Sequence, residues 1–285
     1  METSSRRSLL AAAFFASCLR QVHAEQPAAA LRIGLTPVFL DDQVAFLNSW
    51  RSYLEHRLRQ PLVFVQRGSY REVVNLLNQG QLDCAWLCGY PYVRHRERMR
   101  LLAVPLYRGK PLYQSYLIVP ATDTTTRSIL DLRGKVFAYS DPDSNSGFLF
   151  TQHSLHRLNE MPAAFFGKSF FTWAHRKVVD AVAVGLANGG AIDGYVWDTL
   201  ALSHPGLTGR TRIVERSPEF GFPPFVARGS LASTQFTAVQ SALMQMRDDP
   251  EGAGLLQRLN LDGFAAGSPA LFDGVAEMFR TSGAN

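Results

Sequence analysis

The residues best suited to chemistry form a short run of serine, asparagine and glycine. Ser144, Asn145, Ser146 and Gly147 follow a predicted strand and precede a predicted helix. Hydroxyl groups and free backbone N–H groups at the start of a helix bind anions, and the helix dipole adds favourable charge there. The same residue types also cap ordinary helices, but one side chain is enough for a cap. Two hydroxyls and an amide before Gly147 therefore favour an anion site.

A second candidate follows another predicted strand and opens a helix. It is the segment Cys88-Gly89-Tyr90-Pro91-Tyr92. Gly89 allows a close backbone approach, and Pro91 suits the first turn of a helix. Tyr90 or Tyr92 can hydrogen-bond to a ligand or cover it. The alternative is that the two tyrosines only pack this loop against its own lobe.

Four isolated residues add weaker candidates. His175 precedes an amphipathic helix and can donate to an anion, although a lone histidine is more often a surface or capping residue. Asp198 follows a strand predicted over 191–197 and can accept from a cationic group, or cap the next helix. Cys84 and Cys88 are either two small buried thiols or part of a site for a soft ligand, and their spacing disfavours a disulfide.

The sequence lacks the common catalytic motifs. It contains no Gly-x-Ser-x-Gly, His-Glu-x-x-His, Gly-x-x-x-x-Gly-Lys-Ser/Thr or Gly-x-Gly-x-x-Gly. His153 and His156 lie three residues apart without an evident cysteine or carboxylate partner for a metal. The formal net charge of +5 is mild and spread along the chain, which disfavours nucleic-acid binding. We therefore expect no covalent chemistry, no cofactor, no resident metal and no nucleic-acid partner.

Alternating strands and helices predict an α/β protein of two lobes with a ligand cleft. The first three strands, near 31–35, 62–65 and 83–87, are separated by helices, an order that predicts parallel strands with crossover helices. A polar segment at 121–127 and a proline-rich one at 222–227 predict two crossovers. Lobe 1 is then 25–120 with 222–285, and lobe 2 is 121–221. In such sheets ligands bind beyond the carboxyl ends of the strands, where the candidate loops lie.

The N-terminal residues 1–24 have the features of a secretory signal peptide. Arg6 and Arg7 precede a short apolar run, and Val22-His23-Ala24 fits a cleavage site. The apolar run is too short to span a bilayer as a helix. The alternative is a lipoprotein signal with Cys18 as the acylated residue. Both predict a periplasmic protein.

The chain resembles the periplasmic solute-binding proteins of phosphate, phosphite and phosphonate ABC transporters. The resemblance covers nearly all of the chain after the signal segment, and its most specific part is the turn from Asp141 to Phe148. It implies a type II periplasmic-binding fold, with Ser144, Asn145 and Ser146 as the anion-holding turn. Further ligand contacts implied at lower specificity are Tyr92, His175 and, for an aminoalkyl group, Asp198.

Two functions follow from this resemblance. The first is capture of a small oxyanion by a monomer that delivers it to an ABC transporter permease. The second is a sensor that presents its ligand state to a membrane histidine kinase, because Cys88 at the cleft is similar to arsenite-binding sensors related to this family. The family often has threonine where Asn145 stands, a difference that bears on the choice of ligand.

Overall fold

The computed structural model describes residues 30–37 and 44–282. The proposed signal peptide and Cys18 lie outside the described residues. The strands are β1 (Leu31–Leu35), β2 (Leu62–Gln66), β3 (Cys84–Trp86), β4 (Met99–Leu106), β5 (Leu112–Tyr113), β6 (Ser115–Pro120), β7 (Val136–Tyr139), β8 (Lys168–Phe171), β9 (Gly189–Asp193), β10 (Thr211–Arg216), β11 (Phe220–Gly221), β12 (Phe225–Arg228) and β13 (Gly263–Ala265).

Helices alternate with most of these strands. They are α1 (Val44–Leu58), α2 (Tyr70–Asn78), α3 (Gly89–His95), α4 (Phe150–Arg157), α5 (Pro162–Phe165), α6 (His175–Ala183), α7 (Gly194–Ser203), α8 (Pro205–Thr208), α9 (Ser233–Met244), α10 (Pro250–Arg258) and α11 (Asp273–Thr281). A π-helical turn, Asn145–Leu149, leads directly into α4. Among the described residues, no helix is both long and apolar enough to cross a membrane.

Two sheets form two lobes, which confirms the predicted α/β architecture. The first has the strand order β13-β4-β12-β3-β1-β2, and the second has the order β10-β6-β9-β7-β8. Strands β2 and β3 pair with β1 in parallel, as the order of strands and helices predicted. In the second sheet β8 and β9 pair with β7 in parallel.

Aromatic side chains fill the core of the first lobe. Trp50 of α1 is fully buried and packs edge-on against Trp86 and Phe225, with ring centroids 5.9 and 6.0 Å apart. Burial of such large apolar side chains is the main stabilising contribution to a lobe of this size. The packing fixes the carboxyl end of β3, from which the Cys88 loop leaves.

Both crossovers differ from their expected boundaries. Strand β6 pairs with β9 and β10, so residues before position 120 already belong to the second sheet. The first crossover is therefore 107–114, not 121–127. The second runs through 217–224, not 222–227, because residues 225–228 form β12 of the first sheet. They contact each other, because β5 and β11 form a two-stranded antiparallel sheet.

The strand predicted over 191–197 is shorter than expected. Strand β9 ends at Asp193, and α7 begins at Gly194. The Asp193 carboxylate accepts hydrogen bonds from the N–H groups of Tyr195 and Val196, which caps the helix. Because of this cap, Asp198 lies inside a helix rather than at a strand end.

Candidate functional site

The serine-rich turn lies at the carboxyl end of β7, as predicted. Ser144 is the N-cap of the π-helical turn, and its Oγ accepts from Gly147 N at 3.0 Å. The capping interpretation is therefore correct for Ser144. It leaves the side chains of Asn145 and Ser146 free of a capping role. Single π-helical turns are rare and occur frequently at functional sites.

Three buried polar atoms at this turn have no hydrogen-bond partner among the described residues. They are Ser140 Oγ, Asn145 Oδ1 and Ser146 Oγ. Asn145 and Ser146 are essentially inaccessible, with exposed fractions of 0% and 1%. A buried polar atom that never finds a partner costs about 1–3 kcal/mol, and such atoms in a native protein call for an explanation. A polar ligand bound at the turn would supply these partners.

Gly147 permits the close packing of this turn. A Cβ atom at this position would lie 1.8 Å from Ser140 Oγ and 3.1 Å from His175 Cε1. No side chain can be placed at the first of these distances. Glycine is thus required to bring Ser140 and His175 against the start of the helix.

His175 is a neutral hydrogen-bond donor at the turn. It is the first residue of α6, and its Nδ1 accepts from Asp193 N at 3.0 Å. The ring proton therefore lies on Nε2, which faces Ser144 Oγ at 3.4 Å. Burial lowers the pKa of His175 to about 3. The imidazole can donate a hydrogen bond to an anion but does not neutralise its charge.

Asp193 is a buried acid that sequence reasoning missed. It lies at the carboxyl end of β9, and burial raises its pKa to about 7. Its Oδ1 accepts from Tyr195 N at 2.8 Å. The signal in the sequence was the pair Asp193-Gly194 directly after an apolar run, a common start of a helix. The prediction of a strand through residue 197 concealed it.

The opposite wall of the site comes from the first lobe and a crossover. Cys88 Sγ accepts from Asn145 N at 3.2 Å, which joins the two lobes. Burial raises the pKa of the Cys88 thiol to about 11. Tyr113 of β5 places its hydroxyl 3.0 Å from Asn145 Nδ2, from which it accepts. Sequence reasoning did not select Tyr113, because no local pattern marks a residue that reaches the site from a crossover.

Two acids of the β7–α4 turn join the lobes at the rim of the site. Asp141 Oδ2 accepts from Tyr70 N, at the start of α2, at 3.0 Å. Asp143 forms ion pairs with Arg94 at 3.1 Å and with Arg71 at 3.3 Å. Tyr70, Arg71 and Arg94 all belong to the first lobe. We call these contacts of Asp141 and Asp143 the interlobe latch.

The remaining predicted ligand residues lie elsewhere. Tyr90 is buried against Phe279, with ring centroids 5.5 Å apart, and Arg94 lies over its ring. Tyr92 packs edge-on against Phe272 and lines a surface depression with Arg96. The structure thus brings Tyr90 near the latch and places Tyr92 outside the serine turn.

Asp198 is occupied by other side chains. Its Oδ2 accepts from Tyr107 at 2.7 Å and Tyr116 at 3.0 Å, and it pairs with Arg108 at 3.1 Å. The carboxylate is thus satisfied without an aminoalkyl ligand. Its assignment as a ligand contact stays a prediction. Within residues 30–37 and 44–282, no group of three or more His, Cys, Asp and Glu residues is placed to hold a metal.

The family of this chain follows from sequence comparison. Residues 33–272 match the profile of the ABC transporter, phosphonate, periplasmic substrate-binding protein family. The chain belongs to this family. The phosphonates-binding periplasmic protein of Escherichia coli is 25% identical over 260 residues, which are 88% of this chain and 76% of the relative. As a family member the protein is a periplasmic binding component of an ABC transporter and not an enzyme.

Solved structures agree on the fold of this binding protein. The binding protein component of an ABC phosphonate transporter from Pseudomonas aeruginosa superposes with a TM-score of 0.83, at 17% identity, over 90% of this chain and 87% of the other. A Prochlorococcus marinus protein in complex with methylphosphonate superposes with a TM-score of 0.80, at 18% identity, over 90% and 99%. These similarities confirm the type II periplasmic-binding fold.

Proposed function

We propose that this binding protein captures a small phosphorus oxyanion, such as a phosphonate, phosphite or phosphate, between its lobes. The observation that carries the proposal is the set of buried, unpartnered polar atoms of Ser140, Asn145 and Ser146 at the start of a helix. Hydroxyls and the helix N-terminus donate to the anion, and His175 adds a neutral donor. The ligand passes from the closed cleft to the transporter permease, and the binding protein acts as a monomer.

Calorimetric titration of methylphosphonate, phosphite and phosphate tests this proposal. We expect Ser146→Ala to weaken binding by about 2 kcal/mol, roughly thirtyfold in Kd, because it removes a hydrogen bond to a charged group. Ser144→Ala together with Ser146→Ala weakens it further. Ser203→Ala is the matched control, since that exposed hydroxyl contacts Thr199 O and His204 Nδ1 at the end of α7 and not the serine turn. Unchanged affinity in Ser146→Ala would falsify the site.

A sensor that binds arsenite through Cys88 stays an alternative prediction. The observation in its favour is that the thiol lies at the serine turn, 3.2 Å from Asn145 N. In this alternative the loaded protein docks on a membrane histidine kinase. If the Cys88 thiolate is a ligand, Cys88→Ser abolishes arsenite binding. If Cys88→Ser binds arsenite as the wild type does, the thiolate contact is excluded.

Export is proposed to occur through cleavage after Ala24. N-terminal sequencing of the periplasmic protein then gives Glu25 as the first residue. A blocked, lipid-modified terminus at Cys18 is the outcome of the lipoprotein alternative. Mass spectrometry of the periplasmic and membrane fractions separates the two.

A further inference from the structure

Tyr113 connects the hinge to the anion-binding turn. It lies on β5 and pairs with Phe220 of β11, in the small sheet that joins the two crossovers. The side chain has an exposed fraction of 3%, and its ring packs against Phe222 with centroids 5.8 Å apart. Its hydroxyl lies 3.0 Å from Asn145 Nδ2. A hinge residue therefore holds the side chain of the central residue of the turn.

One hydrogen bond, to the Tyr113 hydroxyl, orients the side-chain amide of Asn145 in the structure. The side-chain Nδ2 donates to Tyr113, and the backbone N–H donates to Cys88 Sγ. With the nitrogen engaged, Oδ1 points away from Tyr113. That oxygen is buried and has no hydrogen-bond partner in the part of the chain that the structure describes. Asn145 thus offers a fixed acceptor to the site.

A fixed acceptor imposes a chemical requirement on the ligand. An amide oxygen accepts hydrogen bonds and cannot donate them, whereas the hydroxyls of Ser140 and Ser146 can rotate to do either. An oxyanion oxygen without a proton is repelled by Asn145 Oδ1 at close range. A P–OH group donates to it and gives the buried atom its missing partner.

We infer that Tyr113 is a positioning residue, which holds Asn145 so that the site selects an oxyanion that still carries a proton. The class of ligand is the monoanion of a phosphonate, phosphite or phosphate, and sulfate is rejected. This inference rests on the proposed function. An amide turned the other way would present Nδ2 to the ligand and favour fully ionised anions, so the two arrangements predict opposite selectivities.

The test is the ratio of Kd values for sulfate and methylphosphonate, measured by calorimetry at mildly acidic pH. Sulfate carries no proton there, whereas methylphosphonate retains one. We expect the wild-type protein to prefer methylphosphonate by at least tenfold, the value of one well-made hydrogen bond against an unpaired acceptor. Asn145→Thr replaces the acceptor by a hydroxyl that can also donate. We expect this variant to have a smaller preference for methylphosphonate over sulfate. Tyr113→Phe frees the Asn145 amide to rotate, and we expect it to reduce the preference for methylphosphonate over sulfate as well.

Tyr116→Phe is the matched control. Tyr116 is buried to a similar extent, but its hydroxyl bonds to Asp198. We expect it to leave the ratio unchanged. If the role of Tyr113 is purely structural, Tyr113→Phe weakens the binding of sulfate and methylphosphonate equally, and the ratio of their Kd values is unchanged. That result overturns the inference. Equal binding of sulfate and methylphosphonate by the wild type also overturns it. Neither result touches the proposed function, which fails if the wild-type protein binds none of methylphosphonate, phosphite and phosphate.

Discussion

At the scale of single residues, Asp193 makes the stability of the protein depend on pH. Burial raises its pKa to about 7, while the unfolded carboxyl group loses its proton near pH ~4. The stability that its protonation supports is therefore fully present below about pH 4 and is lost as the pH rises through about 7. Asp193→Asn cannot ionise and retains a cap oxygen for α7. We expect its unfolding free energy, relative to wild type, to rise by a few kcal/mol across this range.

Urea unfolding at a series of pH values measures the effect. His175 acts in the opposite direction, because its lowered pKa of about 3 removes stability as the pH falls below its unfolded value near ~6.5. The comparison with Asp193→Asn cancels this contribution, since both proteins contain His175. Parallel stability curves for the two proteins would show that the pKa of Asp193 is the same in the native and unfolded states, which contradicts the expectation.

Some residues of the site can be predicted from the sequence, and others cannot. The turn from Ser144 to Gly147 can be recognised because an anion-binding helix start is a local pattern, written in adjacent residues. Tyr113 cannot, because its role arises only when a crossover folds against the second lobe. Asp193 could have been identified from Asp193-Gly194, a pair typical of a helix start. The apolar residues continue through Trp197, however, and they favoured the interpretation as a longer strand.

At the scale of elements, the β7–α4 turn holds the lobes together through the interlobe latch. The carboxylate of Asp143 lies between Arg71 and Arg94, on two different helices of the first lobe. These contacts exist only when the lobes are closed. We therefore expect Asp143→Asn to reduce the closed population and to weaken methylphosphonate binding by about 1 kcal/mol, roughly fivefold. Calorimetry gives the affinity, and small-angle scattering gives the radius of gyration without ligand.

A matched control separates the latch from a general effect of charge. Glu160 pairs with Arg133, and both residues belong to the second lobe. Glu160→Gln therefore removes an ion pair without changing the contact between lobes. It leaves affinity and radius of gyration as in the wild type. An Asp143→Asn protein that matches this control in both measurements shows that the latch does not set closure.

The elements themselves were predictable to different degrees. The parallel order of β1, β2 and β3 follows from alternating strands and helices, since crossover connections permit few other arrangements. Strand β12 was expected to be part of a crossover, yet it pairs with both β3 and β4. The strands that pair with β12 lie more than a hundred residues earlier in the chain. No local sequence pattern therefore predicts this pairing.

At the scale of the whole molecule, closure links ligand binding to stability. The two crossovers meet in the β5–β11 sheet, and the lobes touch at the Cys88–Asn145 contact and at the latch. A ligand that contacts both lobes binds only the folded, closed protein. Binding therefore stabilises the fold by an amount that depends on the ratio of ligand concentration to Kd.

The ratio of ligand concentration to Kd distinguishes a variant that binds methylphosphonate weakly from one whose site is lost. At a methylphosphonate concentration a hundred times the Kd, we expect the unfolding free energy to rise by about 2.7 kcal/mol. Asp143→Asn shows the same rise when the concentration is scaled to its own Kd, because its site is intact and only closure is less favourable. Thermal and urea unfolding with and without ligand provide the measurement. A smaller rise in Asp143→Asn at matched saturation would mean that the ligand also binds a partly unfolded state of this variant, which contradicts the expectation.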